Sequence, residues 1–343
     1  MVNSGYDYII VDSEHLLHRS AYANEGMGFS SEDDMNSFTP TGAVYGFLSL
    51  IPKIWRAYSI PLAEEGSLFS LFEENPEVVD HRKTKIIFCW EGGYKHRTAM
   101  FPAYKANRRV EATDPEEREA QLESKASMKS QRKTLQAALV HLGLTLARAP
   151  GFEADDTLGT LAHRFGAEGK KVLVYTGDRD LHQVVTDNVH IAAAQPKGGD
   201  MIWTKELVTA EWGVEPIRVP EMKALCGDGG DNIPGCPGCG MGWAKKLLEG
   251  THLDEVLVRA RTQLLTGSTS DGKSWKASSL TEKIRANEEL IRISWELSKV
   301  VLDCEVKLLQ EPRNLTGLKE LLFSLKFFST LEAKNLDRLL ALS

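Results

Sequence analysis

Residues 171–178 read Lys171-Val172-Leu173-Val174-Tyr175-Thr176-Gly177-Asp178, a short apolar run that ends in a glycine and an acid. The apolar residues are continuous and do not alternate with polar ones, which is typical of a strand buried on both faces of a parallel sheet. Two earlier runs have the same form: Tyr8–Val11 leads into Asp12, and Lys85–Trp90 leads into Glu91. The three runs therefore predict parallel strands, each followed by an acidic side chain.

Helical patterns lie between these runs and predict an α/β fold. We expect helices at about 41–55, 127–142 and 154–165. Strands that alternate with helices indicate a mostly parallel central sheet with flanking helices, and sites in such sheets lie beyond the carboxyl ends of the strands. The acids that follow the three strands would then gather at one edge of the sheet.

The second part of the chain has a different pattern. After about Pro216 it is mainly helical, with a glycine-dense turn at 227–242 and a polar loop at 266–281. Leucine spacing predicts a helix over Leu315–Leu342, whereas Pro61–Arg82 has the character of an excursion from the fold. We therefore expect an α/β domain over 1–215 and a helical region over 216–343.

The composition is that of an ordinary globular protein. Of 343 residues, 42% are hydrophobic and 26% are charged, which excludes disordered and collagen-like classes. No apolar stretch approaches the 18 residues of a membrane span, and the N-terminus has the character of a strand and not of a signal peptide. Five cysteines favour a reducing compartment. The net charge of −7 alone argues mildly against a nucleic-acid partner.

Nine carboxylates at the ends of elements change that interpretation. If they converge, their repulsion requires a counter-charge, and Mg²⁺ or Mn²⁺ prefers carboxylate ligands. Two such ions, roughly 4 Å apart, promote attack of water on a phosphodiester. Without these nine residues the rest of the chain carries +2, which is compatible with a DNA-facing surface. The nine are Asp12, Glu91, Glu153, Asp155, Asp156, Asp178, Asp180, Asp228 and Asp231.

Each acidic group also has a purely structural interpretation. An Asp after a strand is often a turn former or a helix N-cap. Glu153, Asp155 and Asp156 suit the positive end of a helix dipole, and Asp178 with Asp180 can form a turn. Five such groups in one chain favour a shared site over five separate caps.

A basic segment covers residues 95–133. It holds ten Lys or Arg residues against six Asp or Glu residues, an excess of four positive charges. A charge run of this kind is usually a solvated loop or helix face. The segment therefore indicates a function only in combination with other motifs.

Six short motifs, in their order along the chain, resemble the 5′ nuclease family. This family includes bacteriophage 5′–3′ exonucleases, flap endonucleases and the N-terminal nuclease domain of bacterial DNA polymerase I. The motifs span about residues 6 to 250 and are Val11-Asp12, Pro40-Thr41-Gly42-Ala43-Val44-Tyr45-Gly46-Phe47, Arg97 with Tyr104-Lys105-Ala106-Asn107-Arg108, Gly151-Phe152-Glu153-Ala154-Asp155-Asp156, Thr176-Gly177-Asp178-Arg179-Asp180-Leu181, and Gly227-Asp228 with Asp231-Asn232-Ile233-Pro234-Gly235.

The resemblance implies a PIN-like nuclease core and a phosphodiesterase that acts at 5′ ends and at junctions of single-stranded and duplex DNA. It implies that Asp12, Glu153, Asp155 and Asp156 serve the first of two Mg²⁺ ions, for which Mn²⁺ can substitute. Asp178, Asp180, Asp228 and Asp231 would complete the second. The family usually has Asp after its second strand, where this sequence has Glu91.

The resemblance also gives the basic segment a role, as a helical arch over the active site at about 95–133. Lys105 and Arg108 would hold the scissile phosphate and stabilise the transition state. Arg97 would steer phosphates. Tyr104 would either stack on an unpaired base or pack against the base of the arch.

The glycine-dense turn resembles a helix–hairpin–helix that binds duplex DNA. Gly238 and Gly240 would let backbone N–H groups approach the duplex backbone, and Lys245 and Lys246 would add phosphate contacts. In the family a K⁺ ion can sit on the hairpin carbonyls. Cys236 and Cys239 form a Cys-x-x-Cys, which can be redox-active or half of a zinc site, but which we interpret as incidental to the hairpin backbone.

The leading hypothesis is a structure-specific 5′ nuclease, with both exonuclease and flap endonuclease activity, in primer removal or DNA degradation. The alternatives are an RNase H-like activity on RNA/DNA hybrids, a junction-binding protein without catalysis, and a Mg²⁺-dependent phosphatase. Because the sequence ends at Ser343, we expect a separate polymerase, or a single-strand binding protein, to act with it. We expect a monomer in the cytoplasm of a bacterium or of a phage-infected cell.

Overall fold

The computed structural model describes residues 5–30, 38–59, 84–109, 114–268, 272 and 274–327. The excursion Pro61–Arg82 lies outside these residues, as does the last part of Leu315–Leu342. The described strands are β1 (Tyr8–Asp12), β2 (Gly28–Ser30), β3 (Phe38–Pro40), β4 (Lys85–Cys89), β5 (Thr145–Arg148), β6 (Val172–Tyr175), β7 (Val189–Ala194), β8 (Asp200–Trp203), β9 (Thr266–Ser268), β10 (Ser274–Lys276) and β11 (Lys307–Leu309).

The described helices alternate with these strands in the first half of the chain and dominate the second half. They are α1 (Ser13–Ala23), α2 (Gly42–Tyr58), α3 (Lys95–Met100), α4 (Pro115–His141), α5 (Ala154–Ala167), α6 (Lys205–Trp212), α7 (Val219–Cys226), α8 (Met241–Leu248), α9 (Leu253–Thr262), α10 (Ser278–Ala286), α11 (Glu288–Ser298) and α12 (Leu315–Ser324). None of the helices in the described ranges is long and apolar enough to cross a membrane.

The chain forms two compact units that interleave along the sequence. Unit 1 comprises 1–92, 112–177 and 303–343, and unit 2 comprises 93–111 and 178–302. This division differs from a single boundary after residue 215, because the chain leaves unit 1 twice and returns to it twice. Each unit carries part of the predicted acidic set.

Unit 1 contains the predicted parallel sheet. Within it the strand order is β11-β5-β4-β1-β6. β1 pairs in parallel with β4 and β6, and β4 pairs in parallel with β5, whereas β11 runs antiparallel to β5. Ile9, Ile10 and Val11 are fully buried, as expected for a central strand covered on both faces. The continuous apolar runs therefore identified the central strands correctly.

The register places the predicted acids of unit 1 at the carboxyl edge of this sheet. Asp12 ends β1 and lies beside Cys89, the last residue of β4. Glu91 follows two residues later, and Val11 lies beside Tyr175, the last residue of β6. The alignment of parallel strand ends, and not any local motif, brings these positions to one edge.

Three predicted boundaries are wrong. The helix predicted over Leu315–Leu342 ends at Ser324, because Lys326 has a φ of +56°, which an α-helix does not continue. The helix expected from about Ser127 is α4, which begins at Pro115, because Asp114 caps it by accepting hydrogen bonds from the N–H groups of Glu116 and Glu117. The apolar spacing missed its first three turns because they are exposed. The polar stretch 266–281 was expected to be a loop, but it contains the antiparallel pair β9–β10, in which the Trp275 ring covers Gly267.

Unit 2 is mainly helical, as predicted for the chain after Pro216. α7 packs against α8 and α11, and α9 packs against α10. β7 and β8 form an antiparallel pair. The short 3₁₀ helices of this unit, 106–109, 179–184 and 216–218, lie next to several of the predicted site residues.

The loop after β4 is held against the loop before α5 by a glycine. The N–H of Gly92 donates to the carbonyl of Phe152 at 3.0 Å, and the carbonyl of Gly92 accepts from Gly151 at 2.8 Å. A Cβ atom at Gly92 would lie 1.9 Å from the carbonyl oxygen of Ala149. This close approach fixes the position of Glu91 relative to the start of α5.

We expect Gly92→Ala to lower the free energy of unfolding by about 1–3 kcal/mol, the cost of overpacking a site that cannot yield. Urea denaturation measures the change. Gly242→Ala is the matched control, because a Cβ there meets open space and alanine favours the first turn of α8. An equal loss in both variants would contradict this account.

Candidate functional site

Asp12 is a buried carboxylate at the end of β1. It is 5% exposed, and its Oδ1 accepts a hydrogen bond from the N–H of His15 at 3.0 Å, so it is also the N-cap of α1. Its Oδ2 accepts from the hydroxyl of Thr176 at 2.8 Å, just beyond β6. Because an ionised carboxyl group has about four acceptor positions, this structural role is compatible with metal ligation.

The start of α5 carries three acids. Glu153 is the N-cap, and its N–H donates to Oδ2 of Asp156 at 3.0 Å in a capping box. Asp156 is fully buried and Asp155 half-buried. Partial positive charge at a helix N-terminus stabilises such anions. The structural interpretation is therefore confirmed for Glu153 and Asp156, and it places all three acids at one helix end.

A further acid in unit 1, Glu14, was not selected from the sequence. Its carboxylate pairs with Arg132 of α4 at 2.6 Å. Burial raises the pKa of Glu14, and Arg132 opposes that effect. The sequence Asp12-Ser13-Glu14 could have indicated this residue, because it places a second acid close to the end of a strand. Glu91 is half-buried beyond β4, and its part in metal ligation stays a prediction.

In unit 2, Asp178 and Asp180 lie on one short 3₁₀ helix. Asp178 caps it by accepting from the N–H of Asp180 at 2.8 Å, which confirms the turn interpretation for this pair. Burial raises the pKa of Asp180 to about 6, although Lys223 opposes the shift.

Lys223 lies between two of the predicted metal ligands. Its Nζ contacts Oδ1 of Asp180 and lies 2.7 Å from Oδ2 of Asp228, and the residue is only 7% exposed. Burial acts to lower the pKa of Lys223, but the two carboxylates raise it by more, so the amine stays charged. Burial likewise acts to raise the pKa of Asp228, and Lys223 brings it below its usual range.

Asp231 is held by three donors from the segment 104–108. It accepts from the hydroxyl of Tyr104 at 3.2 Å, lies 3.5 Å from Nζ of Lys105, and pairs with the guanidinium of Arg108. The loop that carries Asp231 is closed by reciprocal backbone hydrogen bonds between Asp228 and Ile233. Three of the four acids of unit 2 therefore contact cations: Asp180 and Asp228 contact Lys223, and Asp231 contacts Lys105 and Arg108.

This donor set fits a hard divalent cation. Carboxylate oxygens are the ligands that Mg²⁺ prefers, and in unit 2 they already bind a positive charge, the ammonium of Lys223. Among the described residues, no three His, Cys, Asp or Glu side chains are spaced so as to enclose an ion. In unit 2, Asp180, Asp228 and Asp231 instead pair with basic side chains of the same unit.

Tyr104 packs against its own unit, which was one of its two interpretations. The residue is 2% exposed and lies in a small apolar cluster with Ile233 and Leu297. A ring buried in this way presents no face to a base, so the base-stacking interpretation is wrong for this conformation. Its value to the site is the hydrogen bond to Asp231.

Lys105 stands above this ring. Its φ is +52°, in the left-handed region, and its N–H donates to the carbonyl of Asp231 at 2.9 Å. Its Nζ lies 5.1 Å from the centre of the Tyr104 ring and 5.9 Å from that of Tyr94. Aromatic faces and one carboxylate therefore orient this buried ammonium.

Arg97 differs from its predicted role in phosphate steering. It is 4% exposed, and its guanidinium donates to the carbonyls of Leu297 at 3.1 Å and Lys299 at 2.8 Å. These carbonyls belong to the C-terminal end of α11, where a cation is favourable. In this structure Arg97 ties α3 to α11 and offers no exposed charge to DNA.

The predicted hairpin lies between α7 and α8. Gly238 has φ +83°, and a Cβ there would lie 3.0 Å from Nζ of Lys283, a cation of α10 that the sequence had not indicated. A Cβ at Gly240 meets open space. A small hollow of about 250 Å³ is lined by Gly240, Gly242, Trp243 and Lys246.

The two predicted phosphate contacts on α8 differ from each other. Nζ of Lys245 donates to the carbonyl of Glu211 at 2.6 Å, at the end of α6. Lys246 is exposed, and its Nζ lies 5.0 Å from the centre of the Trp243 ring. Lys246 is therefore the better placed of the two for an external phosphate, and Lys245 has an internal structural contact.

The cysteines of the hairpin are packing groups. Cys236 and Cys239 are buried, and burial raises the pKa of the Cys236 thiol to about 11. The N–H of Cys236 donates to the carbonyl of Leu225, and that of Cys239 to the carbonyl of Cys236. Buried, protonated thiols are poor nucleophiles, which supports their interpretation as part of the hairpin backbone.

Unit 1 has a mostly parallel sheet with buried carboxylates at its carboxyl edge, and unit 2 is mainly helical with basic residues, which are features typical of metal-dependent nucleases. The model for the 5′-3′ exonuclease N-terminal resolvase-like domain matches residues 7–213, and that for the 5′-3′ exonuclease C-terminal SAM fold matches residues 214–319. The chain belongs to the 5′-3′ exonuclease family.

Individual relatives agree with this assignment. A 5′-3′ exonuclease of Aquifex aeolicus is 28% identical over 335 residues, covering 96% of this chain and 95% of the relative. The thermostable DNA polymerase I of Thermus thermophilus is 33% identical over 335 residues, covering 94% of this chain and 32% of the polymerase. The chain therefore spans about a third of the length of that polymerase.

Solved structures share the fold. The T5 5′-exonuclease with bound zinc ions has a TM-score of 0.62 at 17% identity, covering 97% of this chain and 96% of the other. The catalytic core of Rad2 in complex with a DNA substrate has a TM-score of 0.55 at 13% identity, covering 98% of this chain and 92% of the other.

His182 lies on the same 3₁₀ helix as Asp180 and gives a pH-dependent prediction. Trp212 donates from Nε1 to Nδ1 of His182 at 2.9 Å, and burial lowers the pKa of the imidazole to about 4. Between about pH 6.5 and 4 the unfolded chain therefore binds a proton that the folded chain does not. Stability should fall as the pH falls through this range, by about 3 kcal/mol at most.

Urea denaturation from pH 7 to pH 4.5 measures this effect. We expect the pH dependence of wild type to exceed that of His182→Gln, which loses the titrating group. His163→Gln, which replaces an exposed histidine of α5, should keep the full dependence of wild type. If His182→Gln and wild type lose stability in parallel, His182 is not the group responsible.

Proposed function

We propose that this chain is a structure-specific 5′ nuclease that hydrolyses phosphodiester bonds in DNA with 5′ flaps, nicks or free 5′ ends, with Mg²⁺ as its cofactor. The observation that carries the proposal is Asp12, a buried carboxylate at the carboxyl edge of a parallel sheet, with Glu153, Asp155 and Asp156 opening a helix of the same unit. Structures of the T5 enzyme with zinc or with DNA and metal ions, and of Rad2 with a DNA substrate, support a metal ion as cofactor and DNA as substrate.

Each residue takes a definite role in this proposal. Asp12, Glu153, Asp155 and Asp156, with Glu91, hold one divalent ion, and Asp178, Asp180, Asp228 and Asp231 hold the second. The ions supply an activated water and neutralise charge on the scissile phosphate. Lys105 and Arg108, which contact Asp231 in this structure, hold the phosphate through charge-assisted hydrogen bonds.

The hairpin region of unit 2 would bind the backbone of the duplex. Lys246 is exposed on α8, the helix after the hairpin, and Lys283 lies beside Gly238. Both lysines can therefore contact phosphates of any DNA sequence. We assign K⁺ to the hairpin carbonyls on the family resemblance. Relatives that are named DNA polymerase I suggest a part in primer or flap removal together with a DNA polymerase. We expect a monomer.

Digestion of 5′-labelled flap, nicked, blunt, single-stranded and RNA/DNA hybrid substrates tests the proposal. We expect Mg²⁺-dependent cleavage of flaps and nicks that leaves a 5′-phosphate on the downstream product. Asp155→Asn should lower the rate by orders of magnitude, whereas Asp187→Asn, at an exposed position, should not. Activity that persists in excess EDTA would overturn the two-metal mechanism, and a preference for the hybrid would favour the RNase H-like alternative.

Lys105→Ala should impair the chemical step far more than DNA affinity. A cation aimed at charge that develops in the transition state acts by differential binding, and losing one such donor costs on the order of 10²–10³ in rate. Single-turnover rates at saturating DNA, compared with binding constants, separate the two effects. Lys319→Ala, at an exposed lysine of α12, is the control. A wild-type single-turnover rate would leave Lys105 as a tether only.

Glu91 tests the point at which the sequence departs from the family. If its carboxylate ligates an ion, Glu91→Gln raises the Mg²⁺ concentration for half-maximal rate and lowers the maximal rate. Glu91→Asp then keeps partial activity, because it loses reach but not charge. A Mg²⁺ titration of Glu91→Gln that overlays that of wild type would show that Glu91 is not a ligand.

A further inference from the structure

The site contains one cation that no part of the proposed mechanism uses. Lys223, on α7, carries an ammonium that contacts Asp180 on one side and Asp228 on the other. The two acids come from separate segments of unit 2. Asp180 lies on the 3₁₀ helix at 179–184, and Asp228 lies on the loop after α7. Lys223 is thus the group that joins them.

We propose that Lys223 is an internal counter-ion for Asp180 and Asp228 and that it competes with a divalent cation for their oxygens. The inference rests on the second metal set of the proposed function. When no ion is bound, the ammonium of Lys223 lies between the two carboxylates and holds them together. A divalent ion can bind both carboxylates only when the ammonium moves away from them.

Burial explains why the pair needs a counter-ion. Both acids are partly shielded from water, with side chains 20% and 28% exposed, and Asp178 adds a further negative charge to Asp180. Like charges at this separation cannot all ionise without a cation nearby. Lys223 supplies that cation from within the chain.

The same contacts explain why the lysine and an ion exclude each other. One acceptor oxygen of each acid is already in hydrogen-bond contact with Nζ of Lys223. A divalent ion on those oxygens would lie within a few ångströms of the ammonium, where the repulsion is strong in a partly buried site. Asp231 is likewise paired with Lys105 and Arg108. Its carboxylate therefore does not replace those of Asp180 and Asp228 as a ligand that is already available to the ion.

Mn²⁺ binding tests the competition. Free Mn²⁺ is measured by electron paramagnetic resonance in an Asp155→Asn background, which weakens the first metal set. Lys223→Met keeps the aliphatic stem and removes the charge, so it should bind Mn²⁺ at least about tenfold more tightly than the background protein. Lys205→Met is the matched control, since it removes an exposed lysine of unit 2 whose ammonium lies 3.9 Å from the carboxylate of Glu215, and it should leave the affinity unchanged.

Thermal unfolding provides the second measurement. In EDTA, Lys223→Met should melt several degrees below the background protein, because Asp180 and Asp228 lose their counter-ion. Saturating Mn²⁺ should raise the melting temperature of Lys223→Met by more than it raises that of the background protein. If Lys223→Met does not fold, Lys223→Arg replaces it: a retained charge should keep the Mn²⁺ affinity within about threefold of the background, a difference of roughly 0.7 kcal/mol.

The outcomes separate this inference from the proposed function. If Asp228→Asn binds Mn²⁺ as well as the background protein does, Asp228 is not a ligand, and both the second metal set and the competition are overturned. If Asp228→Asn weakens binding but Lys223→Met leaves it unchanged or weaker, the metal set stands and the competition is overturned. Tighter binding by Lys223→Arg would also overturn it.

Discussion

The requirement that clustered carboxylates be balanced by positive charge shapes both units of this protein, which meet it differently. In unit 1 the backbone balances two of the acids, since Asp12 and Glu153 lie at helix starts, where N–H groups and the helix dipole favour an anion, and Glu14 pairs with Arg132. In unit 2 the balance comes from side chains, with Lys223, Lys105 and Arg108 on the acids. Backbone donors stay where the helix puts them, whereas ammonium groups on flexible stems can move away.

The central strands and most helix types were predictable, because buried strands and amphipathic helices leave a strong periodic pattern. Tyr8–Asp12 and Val172–Tyr175 follow it closely. The first turns of α4 left no apolar pattern, since their stability comes from the Asp114 cap and not from packing. The β9–β10 hairpin was missed because each strand has three residues, too few for alternation to be recognised.

The acids of the site were predictable by position, but their partners were not. An acid after a strand is visible in the sequence, whereas the burial of Tyr104 depends on Ile233 and Leu297, more than a hundred residues away. Lys223 lies within a helix and resembles a surface lysine until α7 is folded against the turn that carries Asp180. Pairings over such sequence distances require the fold itself.

The length of α4 has one further consequence. Its 27 residues span roughly 40 Å at 1.5 Å per residue, yet its buried residues, Gln131, Leu135, Ala138 and Leu139, all lie in the last 11. Burial therefore anchors the C-terminal part of α4, whereas its first three turns are exposed and begin at the Asp114 cap. Isolated helical segments shorter than about 12–15 residues are only marginally stable in water. Unwinding of these first turns would leave Gln131, Leu135, Ala138 and Leu139 in place, so the length of α4 is separable from the packing of the hydrophobic core.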